Sequence, residues 1–381
     1  MYKNIVFWQN MPAHHQLGAL RYLARVWEGD VYAVFDTRML PDRKALGWKC
    51  PDFGEIKVHF LDEMDFPEVF VKKHIELHYD AIHVLGGIRG CLSVDLAWKE
   101  IKKNKSIKLA CIAERPNFNS WKSIIQKAWY RNFFRKYGDR FNLFLTMGKI
   151  GLESYQKLGV SSDILFPYMY QADCMEYPSL SSRDVGFRSI RFVYIGRLIA
   201  IKGVGTLLDV LDSLPNTGWE LSWIGGGGEY EKNVREISQS KEQVFFLGKV
   251  SSDEIINRLS LFDIAIVPSH YDGWGMVVNE AIMAGLGVIV TQNVGSKDLI
   301  EASQAGQVID AGSFQSLKNV MNKLIDEPSL MEEWKENAEK YRPLIRPERV
   351  GEYLRDVLHY SFIDSSVQRP QPDWLVPNKK R

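Results

Sequence analysis

Short apolar runs of three to five residues alternate with stretches of helical periodicity from one end of this 381-residue chain to the other. That alternation limits the fold more than any other feature. Strands that recur between helices are joined most simply into parallel sheets with helices on both faces, an α/β architecture. The first half offers strands at Asn4–Trp8, Val31–Phe35, Ile56–Phe60, Ala81–Leu85, Lys108–Ile112, Asn142–Leu145 and Asp163–Phe166, with amphipathic stretches such as Gln16–Trp27 and Leu92–Lys103 between them. Around 176–190 the pattern lapses into EYPSLSSRDVGFRSI, rich in Ser, Pro and Gly, which reads as a linker. It then restarts, with strands at Phe192–Ile195, Glu220–Ile224, Val244–Leu247, Asp263–Val267, Val288–Thr291 and Gln307–Ile309. Helices are expected near 203–213, 229–238, 252–260, 276–284, 314–325 and 329–341. Two doubly wound, Rossmann-like domains follow. In open parallel sheets ligands sit outside the carboxyl ends of the strands, so two such domains facing a central cleft would each carry one substrate.

Composition removes several function classes. Lys plus Arg number 48 against 47 Asp plus Glu, and a net charge of +1 lacks the basic excess of a nucleic-acid-binding chain. Cys50, Cys91, Cys111 and Cys174 are far apart with no CxxC, which disfavours a disulfide scaffold or a cysteine zinc site and makes a reducing compartment the default. The N-terminal apolar run is too short for a secretory signal, and MVVNEAIMAGLGVIV is interrupted by Asn279 and Glu280, so no membrane span is expected.

Chemistry concentrates in the strand-to-helix loops of the second half. In FVYIGRLIAIKGVGTLLDVL a strand runs into Gly196-Arg197, and Lys202-Gly203 opens a helix. Two cations beside a helix N-terminus suit a diphosphate, Arg as a planar fork and Lys as a point charge; the same pair could also flank an ordinary surface turn. In IVPSHYDGWGMVVNEAIMAG a loop carrying Asp272 leads into a helix at Gly275 or Met276, and Glu280 follows eight residues after Asp272. The helix start leaves amides of Gly273, Trp274, Gly275 and Met276 free for hydroxyls or phosphate oxygens. Glu280 stands among Val277, Val278, Ala281, Ile282 and Met283, and a carboxylate in such company needs a partner, which a ribose diol can be. Alternatively Glu280 lies on the helix's one solvent face. Gly226 and Gly227, in the run Gly225–Gly228, and Gly295-Ser296 are further loop positions where backbone can approach a ligand.

These segments resemble the donor-binding domain of retaining glycosyltransferases of the GT-B fold, the family-4 type or glycosyl transferases group 1. FVYIGRLIAIKG resembles the group's G-R…K-G segment, and VFFLGKVSSDEIINRLSLFDIAIVPS its strand, Leu-Gly, helix, strand, Pro-Ser stretch. The group's E-x7-E acids fall on Asp272 and Glu280, with Asp in the first place. The resemblance is strong over about 190–312 and architectural over 1–180. It implies that Arg197 and Lys202 hold and stabilise the diphosphate of a nucleotide-sugar, that Glu280 binds the ribose, and that Asp272 with the amides of Gly273, Trp274 and Gly275 surrounds the sugar. It further implies an acceptor-binding domain over 1–180, a donor-binding domain over 190–345, and a C-terminal helix and tail, 346–381, packing back on the N-terminal domain. The chain holds no Asp-x-Asp, so no cofactor or metal is expected beyond the nucleotide-sugar co-substrate.

On the acceptor side, the first strand ends in Trp8-Gln9-Asn10-Met11-Pro12-Ala13-His14-His15, where His14 and His15 could orient or deprotonate a hydroxyl, or simply cap a helix. Gly87 lies in a close-approach loop, and Glu114 stands about where many members of the group place a histidine. The segment WKSIIQKAWYRNFFRKYGDRF, 121–141, carries six cations against Asp139 with aromatics interleaved. Trp121, Lys127, Trp129, Arg131, Phe134 and Arg135 make it a candidate for an anionic membrane surface; it could equally pack its aromatics on the sheet. Cutting the charge at residue 185 gives 26 cations and 21 acids before, and 22 and 26 after: +5 and −4.

The expected function is metal-independent transfer of a sugar from a nucleotide-diphosphate-sugar to a lipid-linked or oligosaccharide acceptor, in lipopolysaccharide, O-antigen or capsule assembly, on the cytoplasmic face of the inner membrane. A nucleotide-sugar 2-epimerase of the same architecture and a non-catalytic sugar-nucleotide-binding, membrane-associated protein are the alternatives. An NAD-dependent oxidoreductase is disfavoured, because NMPAHHQ rather than GxGxxG follows the first strand.

Overall fold

A computed structural model describes residues 3–44, 49–118, 121–172, 189–250 and 252–377. The chain divides into two compact units, Met1–Asp173 with Pro347–Pro372, and Cys174–Arg346 with Asp373–Arg381. Most of the expected linker, 176–190, lies outside the described residues; Ile190 already opens a strand.

The first unit holds seven parallel strands: β1 (Ile5–Gln9), β2 (Val31–Phe35), β3 (Lys57–Phe60), β4 (Ile82–Gly86), β5 (Lys108–Ala113), β6 (Leu143–Met147) and β7 (Leu165–Tyr168). Their order is β3-β2-β1-β4-β5-β6-β7, with Ile5 in register with Val31 on one side and Ile82 on the other. Every residue of β1 is buried, as expected for a central parallel strand with both faces covered. Helix His14–Val26 buries Leu17, Leu20 and Leu23 at helical spacing and packs along helix Pro347–Phe362. Helix Leu92–Ile101 has its N-terminus capped from β2's end: the Asp36 carboxylate accepts from the amides of Leu92 at 2.8 Å and Ser93 at 2.7 Å.

Helix Ser123–Tyr137 splits its aromatics. Phe133 and Phe134 are buried in the core, Phe134 against Phe141, Phe144 and Tyr155. Phe134 therefore leaves the set expected to face a membrane. Trp121, Ile124 and Ile125 remain 85%, 79% and 69% exposed.

The second unit holds six parallel strands: β8 (Ile190–Gly196), β9 (Trp219–Gly225), β10 (Val244–Gly248), β11 (Ile264–Val267), β12 (Gly287–Thr291) and β13 (Gly306–Ile309), ordered β10-β9-β8-β11-β12-β13. A buried ionic group ties β8 to the start of β11: Asp263 accepts from Arg191 at 3.0 Å through both carboxylate oxygens, and from Lys335 at 3.3 Å. After the excursion of Pro347–Pro372 into the first unit, Asp373–Leu375 belongs to the second, where buried Trp374 accepts a hydrogen bond from Tyr341 on its carbonyl. The tail expected over the N-terminal domain thus follows it only through Pro372, with Arg369 bonded to the carbonyls of Ser162, Asp163 and Leu165.

Candidate functional site

In the second unit strand order reverses between β8 and β11, and ligands in such sheets sit at the carboxyl ends of the strands flanking that reversal. The loops there are Arg197–Gly203 after β8 and Pro268–Gly275 after β11. The His270 amide donates to the Ile201 carbonyl at 2.9 Å, joining them. Gly203, at φ +74°, lies against the same loop: a Cβ there would stand 1.9 Å from the Pro268 carbonyl oxygen, so no other residue fits. The Pro268–Gly275 loop is held on its far side by Asp272, whose amide donates to Asn293 at 3.3 Å and which bridges Val294. A Cβ on Gly295 would lie 2.3 Å from the Gly273 carbonyl oxygen, and the Ser296 amide donates to Trp274 at 2.8 Å.

This stitching brings Lys202 to Asp272, with Nζ to Oδ2 at 2.5 Å. Arg197 is exposed, and its side chain has no acidic partner among the described residues; its carbonyl accepts from the Tyr194 hydroxyl at 2.8 Å. Helix Met276–Met283 begins at Gly275, and the amides of Gly273, Trp274, Gly275 and Met276 donate no hydrogen bond within the described residues. One turn in, Glu280 is half-buried with no hydrogen-bond or ionic partner among the described residues, and desolvation pushes its carboxyl up to about 7.

Other expected positions are occupied by structure. The Trp274 indole is buried and donates to the Asn279 side chain at 2.7 Å, so only its backbone can reach a ligand. The Ser296 hydroxyl donates to the Gly275 carbonyl at 3.0 Å, and the Gly227 amide to Glu231 at 2.6 Å. Gly196 closes β8 and Gly226 follows β9, beside the same loops.

In the first unit the reversal lies between β1 and β4, and a cavity of about 380 Å³ opens at their carboxyl ends. Gln9, Asn10, Gln16, the Gly86–Cys91 loop, Ile112–Pro116, Tyr130, Tyr155 and Tyr170 line it. Gly87 and Glu114 are there, whereas His14 and His15 do not line it. His14 instead bonds the Lys49 carbonyl at 2.8 Å, and His15 packs edge-on to Tyr170 at 4.5 Å. Burial, with smaller contributions from Arg43 and His14, lowers the His15 imidazole to about 4. Burial and then Glu114 push the Tyr170 hydroxyl well above its ordinary value, and Gln16 and Glu114 are its hydrogen-bond partners. Tyr155 and Tyr170 come from separate segments with no local motif, and Tyr130 stands in the basic-aromatic segment 121–141, where the sequence points to a surface rather than a cavity. Gln9 and Asn10 did carry a signal, standing at the end of the first strand.

Residues 186–341 match the family described as Glycosyl transferases group 1. The chain is 25% identical over 150 residues to an alpha-D-kanosaminyltransferase of Streptomyces kanamyceticus, covering 38% of this chain and 39% of that one. It is 25% identical over 153 residues to the capsular polysaccharide biosynthesis glycosyltransferase CapM of Staphylococcus aureus, covering 39% and 40%. It therefore spans about two fifths of the length of these curated relatives. The structure of Anabaena Alr3699/HepE in complex with UDP superposes with a TM-score of 0.68 over 96% of this chain and 100% of that one, at 14% identity. With two doubly wound units in that arrangement of strands the chain has the GT-B fold, and its second unit carries the segment of the glycosyl transferases group 1.

Proposed function

We propose that this chain transfers a sugar, with retention at the anomeric carbon, from a nucleotide-diphosphate-sugar held by the second unit to a lipid-linked saccharide held by the first. The observation that carries the reading is the grouping at the β8–β11 reversal: Arg197 without an acidic partner, Lys202 on Asp272, a row of undonated amides, and the unpartnered Glu280. The complex of the HepE neighbour makes UDP the first nucleotide to try.

In this reading the diphosphate takes Lys202 from Asp272 and adds Arg197, so that charge building on the departing oxygen meets two cations. That lowers the barrier to an oxocarbenium-like state without a metal, since no Asp-x-Asp supplies ligands. Asp272, released, accepts from sugar hydroxyls alongside the Gly273–Met276 amides. Glu280 accepts from the ribose diol, which gives its carboxylate the hydrogen bonds it lacks in the apo protein.

The first unit's cavity suits a saccharide, with amide side chains and tyrosine hydroxyls around it. No helix among the described residues is long and apolar enough to cross a membrane. Trp121, Lys127, Trp129, Arg131 and Arg135 are exposed on one helical segment, which supports peripheral attachment to the anionic cytoplasmic face of a membrane in surface-polysaccharide assembly, the field named for CapM. The test is a donor screen with UDP-, GDP-, ADP- and dTDP-sugars in EDTA, followed by NMR of the anomeric configuration of the product. Release of an epimerised nucleotide-sugar without acceptor would overturn transfer, and an inverted anomer would overturn retention.

A further inference from the structure

Arg89 stands at the edge of the first unit's cavity with an unusual set of neighbours. Its guanidinium lies 4.0 Å above the Trp129 ring and 5.7 Å from that of Tyr130. The side chain is exposed, lines the cavity, and makes no ion pair among the described residues. Stacking on aromatic faces fixes the plane of the guanidinium; it also hydrogen-bonds the Tyr130 hydroxyl, and its remaining N–H groups are preorganised for a tetrahedral oxyanion. Trp129, beneath it, also belongs to the exposed stretch that continues through Ile125 to Trp121. A cation without an acidic partner, a polar cavity and an apolar path are therefore contiguous through one residue.

We propose that Arg89 binds the phosphate of the acceptor's lipid anchor: an ester of phosphate or diphosphate with a long apolar alcohol, whose saccharide occupies the cavity and whose chain runs over Trp129 towards Ile125. This rests on the reading of the first unit as the acceptor side. A bilayer headgroup is the less fitting occupant of Arg89. In the peripheral reading headgroups would be met by the exposed Lys122, Lys127 and Arg131 at and along the helix, whereas Arg89 shares its cavity with Gln9 and Tyr170, groups suited to a saccharide. Arg89 is thus a specificity residue that distinguishes phosphate-borne acceptors from neutral glycosides.

The test uses calorimetric titration of the full chain with farnesyl diphosphate, farnesol and inorganic diphosphate, each in saturating UDP, beside sedimentation with phosphatidylcholine–phosphatidylglycerol vesicles. Farnesyl diphosphate should bind more tightly than either fragment. Arg89→Ala should weaken it at least tenfold, and Arg89→Lys by less, with UDP affinity and vesicle sedimentation unchanged. Equal binding of farnesyl diphosphate by wild type and Arg89→Ala would overturn the proposal. So would displacement of the probe by UDP, or a loss of vesicle binding in Arg89→Ala that matches the loss of probe. If UDP itself fails to bind, the donor reading falls on its own, and the comparison of Arg89 variants is then read without nucleotide.

Discussion

Lys202 Nζ and Asp272 Oδ2 meet at 2.5 Å, across 70 residues of sequence and between the two loops that flank the strand reversal of the second unit. The pair is partly open to solvent, at 27% and 20% exposure, and solvated pairs of this kind contribute about 0–1 kcal/mol to stability. Its significance is positional. In the proposed reading a diphosphate draws the ammonium away from this carboxylate.

Lys202→Ala should consequently lower turnover by orders of magnitude while shifting the melting temperature by no more than a few degrees, since a change of about 1 kcal/mol moves Tm by that much. Steady-state kinetics paired with calorimetric melting checks both halves. Near-normal turnover would remove Lys202 from the chemistry.

Glu280 should make nucleotide binding depend on pH. Desolvation raises its carboxyl to about 7 in the apo fold, against 4.5 unperturbed, so between those values the unfolded chain is the more deprotonated. Apo stability should fall as pH rises from about 4.5 to 7, and level off above. A ribose diol favours the carboxylate, so UDP affinity should rise as pH passes upward through about 7. Glu280→Gln should flatten both profiles and cost about tenfold in UDP affinity, the value of one or two hydrogen bonds to a charged group. A wild-type affinity independent of pH between 6 and 8, about the range where the group titrates, would contradict this role.

The family segment was legible because its residues are local. Gly196, Arg197, Lys202 and Gly203 fall within one loop, and Asp272 with Glu280 within another. Their mutual placement was not legible, because it depends on contacts distant in sequence: His270 on Ile201, Asp272 on Val294, Gly273 on Gly295. The thirteen strands were readable from their apolar runs, each shifted by no more than two residues at either end. The first unit's cavity was largely hidden, since Tyr130, Tyr155 and Tyr170 converge from three segments. A loop tryptophan also looks alike in sequence whether it faces a ligand or the core; only Asn279 shows which way Trp274 turns.

Trp274→Phe separates those two roles. It removes the indole donor and leaves the buried Asn279 short of one partner, so it should destabilise the fold by about 1–3 kcal/mol. Relative rates with different nucleotide-sugars should stay the same. A change of sugar preference without loss of stability would mean that the ring contacts substrate.

Acid should loosen the first unit through its histidines. His74 packs against Trp8, Tyr32, Phe70, His59 and His78, and its buried Nε2 has no hydrogen-bond partner among the described residues. Burial, then the neighbouring His78, His59 and His83, depresses it to about 3; burial also lowers His83 to about 4. Both sit below the unfolded value of about 6.5, so the unfolded chain takes up protons first and stability declines as pH falls from 6.5 towards 3. His74→Phe should raise Tm more at pH 5 than at pH 8, at about one proton's worth of linkage. Melting curves with parallel shifts at the two pH values would count against the histidine.

The most direct test of the account is isothermal titration of UDP, GDP, ADP and dTDP into the protein in EDTA, with Arg197→Ala and Lys202→Ala alongside. One nucleoside diphosphate should bind the wild type without metal, and each variant should bind it at least tenfold more weakly. Binding by none of the four, binding only after Mg²⁺ is restored, or equal affinity in the variants would contradict a metal-free diphosphate site at Arg197 and Lys202.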